Sequence, residues 1–288
     1  MNKVSRVNVH ISDAVATLPP VSEMMRDAGL FAKKQLGQNF LFDLNLTGRI
    51  ARAVPDITRI PVVEVGPGPG GLTRALLNAG APRVVAIEKD PGTEPILTRI
   101  QDAASGRLCV IYDDAMRVDM NAIGLSDYAI CSNLPYNVGT GLLIGWLHKI
   151  ATQHDGHGIQ SLTLMFQKEV AQRITARAGD EHYGRLGVLT AMVADARILF
   201  DVPRSAFTPA PKVTSAVVQI IPNGEKIARL DNLAAIEKIT AKLFGQRRKM
   251  IRAIIPGVDW AQFGLNGTER AENLGAEKFA ELAAANLL

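Results

Sequence analysis

The chain has 288 residues, of which 47% are hydrophobic and 21% are charged, and its net charge is +4. This composition allows a large core and excludes an intrinsically disordered protein, while a pI near 9.1 is only mildly basic. No apolar run approaches the ~20 residues of a membrane span, and the first residues lack the layout of a secretory signal peptide. We therefore expect a soluble, cytoplasmic protein with no membrane partner.

The cysteines and histidines indicate neither a disulfide nor a metal site. Cys109 and Cys131 both lie inside apolar runs, which is typical of reduced core thiols. The histidines lack the paired spacing of metal ligands, so we expect no metal.

Taken in chain order, the sequence predicts strands that alternate with helices. Residues 1–25 have mixed charge and no sustained period, and we interpret them as a partly ordered extension. The predicted strands are 61–65, 83–88, 108–112, 127–133 and 213–221, and the predicted helices include 70–78, 142–150 and 164–178. This alternation indicates βαβ units, a parallel sheet and helices on both faces.

The character of the chain changes after Pro222, where short helical patterns with a basic first half begin. We therefore expect an extension (1–25), an α/β catalytic domain (26–222) and a small α-helical domain (223–288). The stretch KLFGQRRKMIR, from Lys242 to Arg252, has five basic residues and no acid. It is either a solvated face or a phosphate-binding surface formed by Arg247, Arg248 and Lys249. A second basic pair, Lys33 and Lys34, allows the same two interpretations.

A glycine-rich turn, EVGPGPGG, follows the first predicted strand. Gly66, Gly68 and Gly70 allow a tight turn and a close approach to a ligand. Gly66, Gly68 and Gly71 also satisfy the dinucleotide spacing, so spacing alone does not exclude NAD. The leading Glu64 and the additional Gly70 favour the E/D-x-G-x-G-x-G form of methyltransferases, which bind S-adenosylmethionine.

Carboxylates follow the next two strands. Glu88 ends the second strand, where a carboxylate can accept hydrogen bonds from both hydroxyls of a ribose. Asp114, next to Asp113, follows the third strand and can accept from an adenine amino group, while Met116 can cover the ring. Each signal alone fits an ordinary polar loop, but their order along successive strand ends predicts a nucleoside cofactor.

The tetrapeptide Asn133-Leu134-Pro135-Tyr136 follows the fourth strand. The lone pair of an aromatic amine is delocalised, so its methylation requires acceptors for both amine hydrogens. We expect the Asn133 amide oxygen and the Pro135 carbonyl to be those acceptors, and Tyr136 to stack on the base. The sequence therefore predicts a transferase that methylates the exocyclic amine of adenine, with no nucleophilic side chain or metal.

In these motifs the chain resembles the small-subunit ribosomal RNA adenine dimethyltransferases, the type whose loss gives kasugamycin resistance in bacteria. The resemblance runs from about Lys33 to Ile255. It rests on KKQLGQNFL, VVEVGPGPGGLT, VAIEKD, DDAM, SNLPYN, YGRLGVL, FTPAPKVTSAVV and RRKMIR. It implies a Rossmann-like class I methyltransferase domain with a small C-terminal helical domain.

The resemblance also implies a substrate. The family converts two adjacent adenosines in the 3′-terminal hairpin loop of 16S rRNA to N6,N6-dimethyladenosine, within a precursor of the small (30S) subunit, late in its biogenesis. No dimer motif is visible, which favours a monomer.

The resemblance implies roles for individual site residues as well. The segment from Gln38 to Leu41 closes over the cofactor, with Asn39 and Leu41 in contact. The further implied cofactor contacts are Gly66, Glu88, Asp114 and Asn133. Phe207 would stack on the adenine face opposite Tyr136, although it could equally be a core aromatic. Two positions depart from the family pattern, Gly187 where serine is common and Ala253 where asparagine is frequent.

Three alternatives stay open. The related large-subunit rRNA methyltransferases of macrolide resistance typically carry isoleucine at the position of Leu134. N6-adenine DNA methyltransferases typically carry proline there. A catalytically silent assembly or binding protein would keep the fold without the activity.

Overall fold

The computed structural model describes residues 14–30 and 39–287. The predictions for Lys33, Lys34 and Gln38 fall outside these residues. The strands are β1 (Phe40–Leu41), β2 (Val62–Val65), β3 (Val84–Glu88), β4 (Leu108–Tyr112), β5 (Asp127–Asn133), β6 (Gly158–Gln167), β7 (Ala194–Val202), β8 (Phe207–Thr208) and β9 (Ser215–Pro222).

The helices cover both faces of the main sheet. They are α1 (Ala14–Thr17), α2 (Val21–Asp27), α3 (Leu44–Arg52), α4 (Gly71–Asn78), α5 (Glu94–Ala103), α6 (Gly139–Ala151), α7 (Lys168–Thr175), α8 (Arg185–Val193), α9 (Gly224–Ala228), α10 (Leu233–Phe244), α11 (Ile251–Ile254) and α12 (Ala276–Ala284). Short 3-10 turns lie at Pro91–Thr93, Arg204–Ala206, Trp260–Phe263 and Ala271–Asn273. In the part of the chain that is described, no helix is both long and apolar enough to cross a membrane.

The main sheet has the strand order β4-β3-β2-β5-β6-β9-β7, and β1 pairs with β8 in a separate two-stranded sheet. Successive residues of a strand face opposite sides. Val63 and Val85 therefore join one buried cluster, while Val62 and Val84 join the other. Because β2 to β5 are parallel and adjacent, their carboxyl ends meet at one edge, where ligands bind in such sheets.

Two expectations about the sheet need correction. The first five strands in the order are parallel, but β9 runs antiparallel to β6, and β7 runs antiparallel to β9. The helix expected over 164–178 is wrong at its start, because Gly158–Gln167 is strand and α7 begins at Lys168. This strand is buried along most of its length, and a short continuous apolar run does not distinguish a buried strand from a buried helix.

Residues 14–27 pack into the main fold. Val15 and Met24 are fully buried. The Arg74 guanidinium of α4 donates to the carbonyls of Val15, Leu18 and Pro19, at 3.2, 2.9 and 2.6 Å. The first two helices thus brace the helix that follows the glycine turn. The boundary expected at residue 25 falls inside α2.

The residues after Pro222 share a core with the helices on one face of the sheet. Phe244 and Phe279 stack at 5.4 Å, and Tyr183 meets Phe244 edge-on at 5.8 Å. Glu237 of α10 also pairs with His148 of α6, at 2.6 Å, and with Arg185 of α8. The division into two domains at residue 222 stays a prediction.

Gly187 of α8, one of the two departures from the family pattern, allows a close contact between backbones. A β-carbon there would lie 2.8 Å from the Ala176 carbonyl oxygen and 3.0 Å from that of Arg173. Because backbone cannot move aside cheaply, we expect Gly187→Ala to lower the free energy of unfolding by about 1–3 kcal/mol. Gly141 of α6 has no atom within 4 Å of such a carbon. Gly141→Ala should therefore stabilise slightly, and equal effects of the two substitutions in urea unfolding would contradict this interpretation.

Candidate active site

A cavity of about 830 Å³ opens at the carboxyl ends of β2 to β5. The segment Asn39–Leu41 and the start of α6 complete its wall. All six predicted cofactor contacts line it, namely Asn39, Leu41, Gly66, Glu88, Asp114 and Asn133, and so do Leu134, Pro135 and Tyr136. The structure thus brings residues from five separate segments of the chain to one site.

The glycine turn depends on the absence of side chains. Gly66, Gly68 and Gly70 have φ angles of 70°, 54° and 82°, in the left-handed region that glycine adopts without strain. A β-carbon on Gly71 would lie 2.5 Å from the carbonyl oxygen of Leu41. The turn therefore fits closely beneath the segment that covers the cavity.

Glu88 organises the turn that follows its strand. Its carboxylate is 6% exposed and accepts from the backbone amides of Gly68, Lys89 and Asp90, at 3.0, 2.8 and 2.8 Å. These bonds fix both carboxylate oxygens at the cavity wall. Oε1 accepts two of these bonds and Oε2 accepts one, so Oε2 keeps a lone pair that can accept from a hydroxyl of a vicinal diol.

Asp114 lies just after the end of β4, and each of its two carboxylate oxygens accepts one hydrogen bond. Oδ1 accepts from the Met116 amide at 3.0 Å, and Oδ2 accepts from Lys89 Nζ at 3.2 Å. The Met116 amide, and after it Lys89, hold the pKa of Asp114 below its ordinary value. The carboxylate is therefore ionised and can accept a further hydrogen bond. Met116 is 60% exposed at the cavity rim, where it can cover a planar ring.

Asn133, the last residue of β5, has its amide oriented by the covering segment. Its Nδ2 donates to the Asn39 carbonyl oxygen at 3.1 Å. Since this bond occupies the NH₂ side, Oδ1 is the amide atom left to accept a hydrogen bond from a molecule in the cavity. Asn39 thus contributes to the site by orienting Asn133.

The Pro135 carbonyl is not a free acceptor, contrary to the expectation from the sequence. It accepts from the amides of Val138 and Gly139, at 3.2 and 3.0 Å, where α6 begins. The carbonyl of Leu134 has no hydrogen-bond partner among the described residues, and Leu134 lines the cavity. The backbone carbonyl beside Asn133 that is left without a hydrogen bond is therefore that of Leu134, while Pro135 shapes the turn.

Tyr136 is held by its hydroxyl group. Its Oη lies 2.7 Å from the Oγ of Ser215, at the start of β9, and burial raises its pKa. The ring lines the cavity with its tip anchored, which suits a stacking surface.

Phe207 does not line the cavity. It is 4% exposed, belongs to a buried cluster and pairs in β8 with Leu41 of β1. Its observed position supports the segment that carries Asn39 and Leu41. Stacking of Phe207 on a base stays a prediction, and it requires the ring to leave this cluster.

The basic residues Arg247, Arg248 and Lys249 lie between α10 and α11, and they differ in their bonding partners. Arg247 pairs with Glu272 at 2.5 Å and donates to the carbonyl of Glu181 at 2.7 Å. Arg248 and Lys249 are exposed and have no ion pair among the described residues. Arg247 therefore joins parts of the fold, whereas the other two are available to a polyanion.

Comparisons with known proteins agree with this geometry. Residues 29–285 match the family described as ribosomal RNA adenine dimethylase. The chain belongs to this family. The expected family, and with it the expected class of enzyme, an S-adenosylmethionine-dependent rRNA dimethyltransferase, are confirmed.

Relatives within the family match nearly the whole chain. The ribosomal RNA small subunit methyltransferase A of Xanthobacter autotrophicus is 50% identical over 277 residues, covering 94% of each chain. The protein of the same name from Paramagnetospirillum magneticum is 48% identical over 276 residues, covering 94% of this chain and 96% of its own.

Solved structures confirm the α/β class I methyltransferase fold. A dimethyladenosine transferase from Plasmodium falciparum has a TM-score of 0.69 at 24% identity, covering 84% of this chain and 95% of its own. The 23S rRNA methyltransferase ErmE has a TM-score of 0.62 at 24% identity, covering 85% and 98%.

Some contributors to the site were not expected from the sequence. Phe40 packs against the glycine turn, where a β-carbon on Gly68 would lie 3.0 Å from its ring. Thr73 donates to the buried Glu64 at 2.6 Å. Both depend on how separate elements pack against each other, and no local pattern signals them.

Proposed function

We propose that this protein transfers methyl groups from S-adenosylmethionine to N6 of two adjacent adenosines in the 3′-terminal hairpin loop of 16S rRNA, giving N6,N6-dimethyladenosines. The substrate proposed is a precursor of the small subunit, late in its biogenesis and in the cytoplasm. The observation that carries the proposal is the pair of acceptors at the end of β5, Asn133 Oδ1 and the Leu134 carbonyl.

The donor set of the cavity fits S-adenosylmethionine. Glu88 would accept from the ribose hydroxyls and Asp114 from the adenine amino group, since both carboxylates follow neighbouring strands of one sheet edge. The glycine turn leaves room for close backbone contact with the rest of the molecule. When bound, the cofactor supplies an activated methyl group on a sulfonium.

The chain's own residues would activate the target amine by position. Asn133 Oδ1 and the Leu134 carbonyl accept one amine hydrogen each, which favours a pyramidal nitrogen with its lone pair directed to the methyl group. Tyr136, tethered by Ser215, stacks on the base once it has left its helix. Acceptors fixed before the reaction lower the barrier without reorganisation at the moment of transfer.

We propose that Arg248 and Lys249 contact rRNA phosphates. Replacing both with alanine should weaken binding to the small subunit and reduce the slope of log affinity against log salt by roughly 0.7–0.9 per lost contact. Arg247 is left in place because its bonds to Glu272 and Glu181 hold the fold.

The matched control removes two exposed arginines elsewhere, Arg59 before β2 and Arg99 on α5. Neither has an ion pair among the described residues. An unchanged slope in the Arg248/Lys249 variant, or the same reduction in the control, would show that the stretch is only a solvated face.

The methylated nucleosides formed over time show whether one site adds both methyl groups. Incubation of the protein with excess S-adenosylmethionine and unmethylated small subunits, followed by nucleoside analysis over time, should give N6-methyladenosine first and N6,N6-dimethyladenosine at completion. Persistent accumulation of the monomethyl product alone would contradict two additions at one site.

A further inference from the structure

Glu64 is a carboxyl group in the cavity wall to which the proposed function gives no role. It lies on β2, is 1% exposed and lines the cavity. Thr73 of α4 donates to its Oε2 at 2.6 Å. No cation among the described residues contacts it. A buried carboxylate without a cationic partner is costly, so the group favours its neutral form.

The groups around Glu64 reinforce this preference. Burial raises its pKa to about 8, the Thr73 hydroxyl opposes that shift, and the charge of Glu88 on β3 adds to it. On β5, the facing thiol of Cys131 also has its pKa raised, by burial and then by Glu64. The carboxyl group of Glu64 is therefore mostly protonated at pH 7 in the empty cavity.

We propose that Glu64 is a specificity residue for the cofactor, whose carboxyl group releases a proton to solvent when the cationic sulfonium binds and regains one when the neutral thioether product is left. This inference rests on the proposed function. S-adenosylmethionine carries one more positive charge than S-adenosylhomocysteine. A cation in the same cavity favours the ionised form of Glu64, and that carboxylate in turn favours the charged cofactor over the spent one.

The other charged residues that line the cavity are mostly acidic, like Glu64. Among the described residues they include Glu88, Asp90, Asp113 and Asp114, with Lys89 as the opposing charge. Burial favours the protonated form of Glu64, so its proton can leave and return as the cofactor is exchanged, and this makes the exchange depend on pH.

The direction of the pH dependence follows from linkage. Binding that releases a proton strengthens as pH rises towards the pKa of the free site and levels off above it. Between pH 6 and 7 the dissociation constant of S-adenosylmethionine should fall by up to about tenfold, whereas that of S-adenosylhomocysteine should change little. Both molecules carry the same α-amino and carboxylate groups, so the ratio of the two constants isolates the effect of the sulfonium.

The test is isothermal titration calorimetry of the full-length protein with each of the two ligands. At pH 7, measurements in phosphate and in Tris, whose ionisation enthalpies differ, give the number of protons exchanged. We expect release of most of one proton with S-adenosylmethionine and much less with S-adenosylhomocysteine. In Glu64→Gln the release should disappear, and the ratio of the two dissociation constants should no longer depend on pH.

A second variant guards against misfolding of Glu64→Gln. Thr73→Val removes the donor to the carboxylate, so the pH at which the affinity for S-adenosylmethionine levels off should move upward. Binding of S-adenosylmethionine to the wild-type protein without proton release would overturn the role of Glu64 and leave the proposed function standing. Failure of the wild-type protein to bind S-adenosylmethionine at all would overturn both.

Discussion

Replacement of Asn133 by alanine should reduce methyl transfer about a hundredfold or more, the effect expected when one fixed polar group at the reacting atoms is lost. The amide oxygen that accepts from the target amine disappears, while the Leu134 carbonyl remains. The lost bond to Asn39 costs only about 0.5–1.5 kcal/mol of folding free energy, so the protein should stay folded. Single-turnover transfer to small subunits under saturating cofactor measures the loss.

The control for this variant is Asn137→Ala. Asn137 lines the same cavity but is exposed and makes no side-chain hydrogen bond with the described residues. It should change the rate little. Near-normal turnover of Asn133→Ala would remove the amide from the mechanism. Some weakening of cofactor binding is compatible with it, because Asn133 lies in the wall of the cofactor cavity.

Glu88→Ala should raise the dissociation constant of S-adenosylmethionine at least about tenfold, which corresponds to ~1.4 kcal/mol. The substitution removes the proposed ribose acceptor and leaves the amides of Gly68, Lys89 and Asp90 without theirs. Each unpaired buried donor adds a cost of roughly 1–3 kcal/mol, so the glycine turn should also loosen. Equilibrium dialysis with labelled cofactor measures the affinity, and thermal unfolding measures the stability.

Two substitutions separate these effects. Glu88→Gln keeps one acceptor oxygen and the shape of the side chain, so its affinity should fall between the wild-type and alanine values. Glu94→Ala removes an exposed carboxylate nearby in the sequence that does not line the cavity. If Glu94→Ala weakened binding as much as Glu88→Ala, the affinity for the cofactor would depend on the net charge of the protein and not on a ribose acceptor at Glu88.

The strands that carry the site can be predicted from the sequence because each of them ends in, or is followed by, a residue of a distinctive type. Glycines after β2, a carboxylate at the end of β3, a carboxylate after β4 and asparagine at the end of β5 all mark carboxyl ends of strands. Since parallel strands share one edge, the cavity could be predicted from these local signals. Residues 108–112 and 127–133 even coincide with β4 and β5.

The rest depended on long-range contacts. The predicted helix overlaps the end of β6 because both faces of this strand are buried, although one of them carries Ser161 and Thr163. The sequence does not predict β7 because its run mixes Asp195, Arg197 and Asp201 with apolar residues, as edge strands do. The Pro135 carbonyl was expected to be free, and only the turn into α6 reveals its two amide partners. The pairing of Arg247 with Glu272 joins residues 25 positions apart.

The claim that the substrate is adenine N6 in small-subunit rRNA is tested most directly by transfer of labelled methyl groups. Unmethylated small subunits and large subunits are incubated in parallel with the protein and labelled S-adenosylmethionine, and the rRNA nucleosides are then separated. We expect label only in the small-subunit RNA, and there in N6,N6-dimethyladenosine. Label in the large-subunit RNA, or no label in either despite cofactor binding, would contradict the claim.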